Sequence, residues 1–229
     1  MFNFKSLKKW TMFQYGVYLY DVCTRKRKTN KSFEQVYEMG MWGVDDNGKG
    51  TSGYGSDPKF NTSYIQFIRN FIITRNLKVI VDLGCGDWQF SNDIYKDLNV
   101  QYYGYDCVKH IITNNISKYK HVNKYHFKYI DGDHILKSIK HTNVDLLILK
   151  DVIQHWPNET IVTFLKNIRN HMNVKYVLLT NDHTSQDNEN IECGGYRPLN
   201  WDKPPLNDFK VTYVFSFNTL DMKTTVMLL

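Results

Sequence analysis

Lys78-Val79-Ile80-Val81-Asp82-Leu83-Gly84-Cys85-Gly86-Asp87-Trp88-Gln89-Phe90 is the stretch that decides the fold. Residues 78–83 form a short, β-branched, apolar run, the pattern of a buried strand. The run closes with Asp82, and Gly84 and Gly86 follow at once. Two glycines straight after a strand allow a tight turn and let a ligand approach bare backbone. An acid at the strand end accepts hydrogen bonds from a ligand amine or ribose. This is nucleotide-type chemistry, but the third glycine of a dinucleotide fingerprint is missing.

Downstream, strand and helix signals alternate. Strands are expected at 101–106, 125–130, 144–149 and 174–180, with helices at 108–117 and 158–171 and a short one between Asp133 and Lys140. Two closing strands are expected at 211–217 and 223–229. This rhythm specifies a parallel, doubly wound α/β sheet. Residues 181–208 form a long irregular segment, of a length usually kept for function in a compact domain.

Upstream, Pro58 to Arg75 fits a helix with Tyr64, Phe67, Ile68, Phe71 and Ile72 facing inward. The glycine-rich loop 43–56 precedes it, read either as a linker or as a lid in which Tyr54 is the anchor. Ser32 to Met41 reads as a helix whose apolar face is Phe33, Val36, Tyr37 and Met41. Residues 1–29 carry Phe4, Leu7, Trp10, Phe13 and Val17 at helical spacing and end in the basic run Arg25–Lys28. They read as a cap packed on the domain with a solvated basic end. The same stripe is the expected surface for a homodimer.

The chain has 229 residues, which suits one domain with additions, and its net charge of +6 is compatible with an anionic substrate but too mild to imply nucleic acid. Its hydrophobic fraction of 42% excludes a disordered protein. Cys23, Cys85, Cys107 and Cys193 are far apart, so neither a zinc site nor a disulfide framework is expected. No apolar run is long enough to span a membrane, and no signal-peptide core is visible. A cytoplasmic location is the default.

Val81-Asp-Leu-Gly-Cys-Gly86 resembles the first motif of the class I S-adenosylmethionine (SAM)-dependent methyltransferases. The resemblance extends from about Phe60 to Leu229, since a terminal strand pair after five βα units also looks like that family. It implies a Rossmann-like fold: a seven-stranded, mostly parallel sheet with helices on both faces, an antiparallel last strand and a helical N-terminal cap. Residues 1–59 are then cap and lid, and 60–229 the methyltransferase domain.

The resemblance also implies a cofactor site. Asp82, Gly84, Cys85 and Gly86 would hold the methionine part of SAM. Asp106, 24 residues beyond Asp82 and beside Cys107, matches the ribose-binding acid. Asp131 or Asp133, flanking Gly132, would receive the adenine amine, and both remain open. Tyr54 and Ser56 would cover the cofactor, with Lys150 beside it.

Leu149 to Pro157 closes the fourth strand at the edge where ligands of such sheets bind. Methyl transfer to a hydroxyl needs an aligned nucleophile and a base. His155 is the candidate base, and Asp151 would orient it or bind substrate. Lys150-Asp-Val-Ile matches neither the proline-rich motif of amine methyltransferases nor the Pro-Cys pair of cytosine C5 enzymes. Lys150 and Asp151 are not placed like the catalytic set of ribose 2′-O enzymes. Asn181 and Asp182, leaving the fifth strand, are candidate substrate ligands, and no metal is expected there. Tyr196 and Trp201 offer ring stacking and Arg197 an anion contact.

The expected function is SAM-dependent O-methylation of a small hydroxylated substrate such as a sugar or nucleotide-sugar. The tail also resembles methyltransferases that accompany surface-polysaccharide genes. The alternatives are an RNA methyltransferase, prompted by Arg25–Lys28, and a catalytically silent SAM-binding module.

Overall fold

A computed structural model describes residues 33–130, 143–171, 173–219 and 222–229. Seven strands make one sheet: β1 (Val79–Leu83), β2 (Gln101–Asp106), β3 (Tyr125–Tyr129), β4 (Val144–Lys150), β5 (Val174–Asp182), β6 (Thr212–Thr219) and β7 (Met222–Leu228). Their order is β3-β2-β1-β4-β5-β7-β6. Neighbours from β3 to β5 pair in parallel, and β7 runs antiparallel between β5 and β6. This is the expected mostly parallel α/β sheet with an antiparallel last strand.

The helices are α1 (Phe33–Glu38), α2 (Pro58–Thr74), α3 (Ser91–Tyr95), α4 (Lys109–Tyr119) and α5 (Asn158–His171). They cover both faces of the sheet. Side chains of β4 alternate between two cores: Leu147 and Leu149 pack with Phe164, Leu165 and Ile168 of α5. Leu146 and Ile148 pack with Tyr64, Ile68 and Phe71 of α2. A strand buried on both faces can afford a continuous apolar sequence, which is why β4 reads as a run and not an alternation. Helix α2 starts where Pro58 follows Asp57, whose carboxylate accepts from the Lys59 amide at 2.8 Å.

Trp88, one residue before the place of the absent third glycine, has a structural reason to be there. It is 1% exposed. Tyr95, Tyr102, Tyr119, Tyr125 and Phe127 ring it at centroid distances of 4.6–6.3 Å. Its backbone is left-handed, with φ of 58°. A conformation that costs about 1 kcal/mol or more in an L residue is outweighed by the burial of the indole.

Several expectations are adjusted. Strand β5 runs on to Asp182, because β7 continues to pair with it at Asn181↔Thr225 and Asp182↔Thr224. Helix α1 is shorter than the expected 32–41, and α3 was not foreseen, being only 5 residues long. Cys85 and Cys107 are not in a disulfide, whereas Cys193 is disulfide-bonded, which corrects the reading of four unconnected cysteines. The helix expected at 1–29, the Arg25–Lys28 run, its dimer surface and the turn at 131–133 lie outside the described residues. Among the described residues no helix is long and apolar enough to cross a membrane.

Trp88→Ala should destabilise the domain by about 3–5 kcal/mol, the usual loss for a buried Trp truncated in a packed core. Denaturant unfolding at constant slope checks this, and a loss under 1 kcal/mol would show that the aromatic cluster does not hold the glycine turn.

Candidate functional site

The parallel register brings the carboxyl ends of β1, β2, β4 and β5 to one edge of the sheet. At β1 the chain turns sharply. The amides of Gly84 and Cys85 both donate to the Tyr105 carbonyl, at 2.7 and 3.0 Å. The Asp106 carboxylate then accepts from the Gly86 amide at 3.0 Å and the Val108 amide at 2.9 Å. Gly84 and Gly86 adopt φ of 77° and 57°. A Cβ at Gly84 would lie 2.5 Å from Val152 Cγ2, and one at Gly86 would lie 2.5 Å from Ser52 Oγ. Both positions therefore require glycine for conformation and for space.

Above this turn opens a cavity of about 510 Å³. Gly84, Gly86, Asp106 and Cys107 form its floor, and Val108 and Ile130 its β2–β3 end. Phe33, Tyr37 and Trp42 form a wall, and Ser52 to Ser56 a roof. The roof is fastened to the floor. The Ser52 amide donates to Asp87 Oδ2 at 2.9 Å, and the Asp87 amide donates back to Ser52 Oγ at 3.0 Å. Tyr37 Oη meets Ser52 Oγ at 2.5 Å.

The far end is built by β4 and β5. Lys150 Nζ donates to the Gly55 carbonyl at 2.6 Å and pairs with Asp151 Oδ2 at 2.5 Å. Asp151 follows β4 with φ of 57°, a strained turn of the kind found at ligand sites. His155 Nδ1 lies 2.8 Å from the Gly195 carbonyl. A carbonyl only accepts, so Nδ1 carries the proton and the lone pair of the neutral ring is on Nε2. The ring is packed against Phe33, Trp42 and Tyr196 at centroid distances of 5.9, 5.7 and 6.0 Å. Asp182 accepts from the Tyr196 hydroxyl at 2.9 Å and the Thr224 hydroxyl at 3.2 Å. Burial, then the neighbouring Asp151, push its carboxyl above the ordinary range.

Of the residues singled out from sequence, Tyr54, Ser56, Gly84, Gly86, Asp106, Cys107, Lys150, Asp151, His155, Asp182 and Tyr196 line this one cavity. Five others do not. Asp82 is buried beneath the turn and accepts from the Tyr102 hydroxyl at 2.7 Å. Cys85 points away from the cavity into the core around Ile80 and Tyr102. Asn181 is 0% exposed inside the sheet. Arg197, 6% exposed, donates to the Gln154 carbonyl at 3.1 Å and to Asn158 Oδ1 at 2.7 Å. Burial lowers its pKa to about 10. Trp201 packs on Tyr213 and the α5-side core. Asp131, Gly132 and Asp133 lie outside the described residues. Among the described residues no group of three His, Cys, Asp or Glu is placed to hold a metal. Sequence reading missed Trp42, Ser52 and Gln154; their roles come from contacts with residues 28 to 113 positions away, and no local pattern marks them.

Residues 17–190 match the family model of the O-methyltransferase domain. No curated protein matches the sequence. Among solved structures, magnesium protoporphyrin IX methyltransferase from Synechocystis PCC 6803, with bound SAH, is similar at 14% identity and TM-score 0.50, over 72% of this chain and 81% of that one. An O-methyltransferase family protein from Burkholderia thailandensis is similar at 9% identity and TM-score 0.53, over 73% of this chain and 55% of that one. The methyltransferase domain of bacterial CtHen1-CN is similar at 14% identity and TM-score 0.53, over 74% and 99%. At these identities the likeness is one of fold.

Burial, only partly offset by the Tyr102 hydrogen bond, raises the pKa of Asp82 to about 7. In the unfolded chain the value is about 3.9. Between those values the folded state binds more protons than the unfolded state. Stability contributed by this group therefore falls as pH rises through the window and levels off above it. Relative to Asp82→Asn, the ligand-free wild type should lose melting temperature between pH 4.5 and 8. A difference between the two proteins that stays constant with pH would contradict this.

Proposed function

The chain belongs to the O-methyltransferase domain family, and from that premise we propose that it methylates a hydroxyl of a small molecule held in the cavity, with SAM as donor. The observation that carries this reading is the shared cavity: a bare-backbone turn with Asp106 at one end, and His155 in a base-competent tautomer at the other.

The floor fits SAM. Gly84 and Gly86 line the cavity with bare backbone, where a Cβ would collide with Val152 or Ser52. Asp106, at the end of β2, suits ribose hydroxyls, and Val108 and Ile130 make an apolar slot for the base. The related Synechocystis enzyme was solved with SAH, the demethylated product. When bound, SAM supplies an electrophilic methyl group on a sulfonium.

The acceptor hydroxyl must lose a proton as it attacks. His155 Nε2 takes it, while Nδ1–H continues to donate to the Gly195 carbonyl and stabilises the imidazolium. Asp151 pairs with Lys150, and in this reading it binds substrate; it is Gly195 that orients the imidazole. The roof at 52–56, fastened through Asp87 and Lys150, acts as the lid that keeps water out. A sugar-like ring suits Tyr196, which stands half exposed at the mouth. A nucleotide-sugar is less well served, because Arg197 is buried away from the cavity. The RNA reading rests on Arg25–Lys28, outside the described residues, and no observation favours it over the small-molecule reading.

His155→Ala should lower turnover by ~10²–10⁴-fold, the usual worth of a general base, and leave SAM affinity within about threefold, since the floor contacts lie on other strands. Calorimetry with SAM and a methyl-transfer assay read the two separately. Full activity in a folded, SAM-binding variant would remove His155 from the mechanism. Absence of SAM binding by the wild type would remove the reading itself.

A further inference from the structure

The charges at the acceptor end do not cancel. Lys150 is the one Lys or Arg among the described cavity residues, and its charge is taken up by Asp151 at 2.5 Å and the Gly55 carbonyl at 2.6 Å. Arg197 points elsewhere. The hydrogen bonds to the two oxygens of Asp182 come from the Tyr196 and Thr224 hydroxyls, both neutral, and among the described residues no Lys or Arg pairs with it. The wall beside it is aromatic. Tyr196 links Asp182 to His155, and His155 stands against Phe33 and Trp42. A carboxylate in a cavity that aromatic rings also line attracts a cation by charge, adds the ring quadrupole where a ring reaches it, and repels an anion.

Building on the methyltransferase reading above, we infer that the acceptor carries a protonated amine beside its hydroxyl, with the amine on Asp182 and the ring among Trp42, Phe33 and Tyr196. An amino sugar and a hydroxylated arylalkylamine both have this chemistry; an acidic sugar or a nucleotide-sugar does not. The sulfonium and ammonium of SAM are cations too, and Asp182 must be told apart from a cofactor contact. In the strand order β5 stands two places from β1, about 10 Å at the usual spacing. That puts Asp182 with the acceptor and away from the glycine turn.

The test uses the full chain saturated with SAH and two matched pairs of probes in calorimetry: glucosamine against glucuronate, and tyramine against 4-hydroxyphenylacetate. In at least one pair the amine should bind about tenfold or more tighter than the acid, a gap of about 1.4 kcal/mol. Asp182→Asn, which keeps size and can accept from one of the two hydroxyls while donating to the other, should bring that ratio below about threefold and leave SAM affinity unchanged. Trp42→Leu should weaken the amine and spare SAM in the same way. Binding of neither amine, equal binding of amine and acid, or tighter binding of the acids overturns the inference. So does an Asp182→Asn protein that loses SAM affinity and keeps the amine preference, since Asp182 would then serve the cofactor. Failure of the wild type to bind SAM is a separate result, and it strikes the proposed function instead.

Discussion

The site depends on one set of hydrogen bonds, those by which the end of β2 holds the turn after β1. Tyr105 offers its carbonyl to two consecutive amides, and Asp106 offers its carboxylate to the next two available, at Gly86 and Val108. Satisfying these amides forces the left-handed conformations at Gly84 and Gly86 and leaves backbone, with no side chain, facing the cavity. Asn115 of α4 donates to the Gly86 carbonyl at 2.8 Å, and Ser52 and Asp87 close the far side. The turn thus ties together strand, helix and roof. A buried amide left without its acceptor costs about 1–3 kcal/mol, so this arrangement is held as a unit.

A second fastening positions the chemistry. Gln154 sits between three segments: its side chain accepts from the Asp182 amide at 3.0 Å, and its carbonyl accepts from both the amide and the guanidinium of Arg197. The same stretch brings the Gly194 amide to the His155 carbonyl at 2.9 Å and the Gly195 carbonyl to the His155 ring. Arg197 is therefore a brace inside the protein. Its burial is costly for a guanidinium, as the lowered pKa of about 10 shows, and its hydrogen bonds to Gln154 and Asn158 compensate.

The fold was legible because its signals are local. Apolar runs of strand length alternate with helical periodicity, and helix α5 begins and ends where the sequence pattern places it. The glycine turn, Asp106 and His155 were legible for the same reason, each being fixed by its place at a strand end. What the sequence hid is the pleat and the distant partner. Successive strand side chains face opposite ways, so Asp182 reaching the cavity means Asn181 does not, and Leu83 lining it means Asp82 is buried beneath. Cys85 is turned away between two glycines that face the ligand side. Arg197 and Trp201 looked like binding groups by type, but the irregular segment uses them to pack itself down. Trp42 and Ser52 gave no motif, because their meaning lies in chain brought beside them by the fold.

The central claim is that one cavity binds SAM on the glycine turn and presents an acceptor to His155. Hydrogen–deuterium exchange with and without SAH tests it most directly. Protection is expected at 52–56, 84–87 and 106–108, with the amides of 153–155 also slowed. Unchanged exchange at 84–87 and 106–108 in the presence of saturating SAH, or protection confined to another part of the chain, would contradict it.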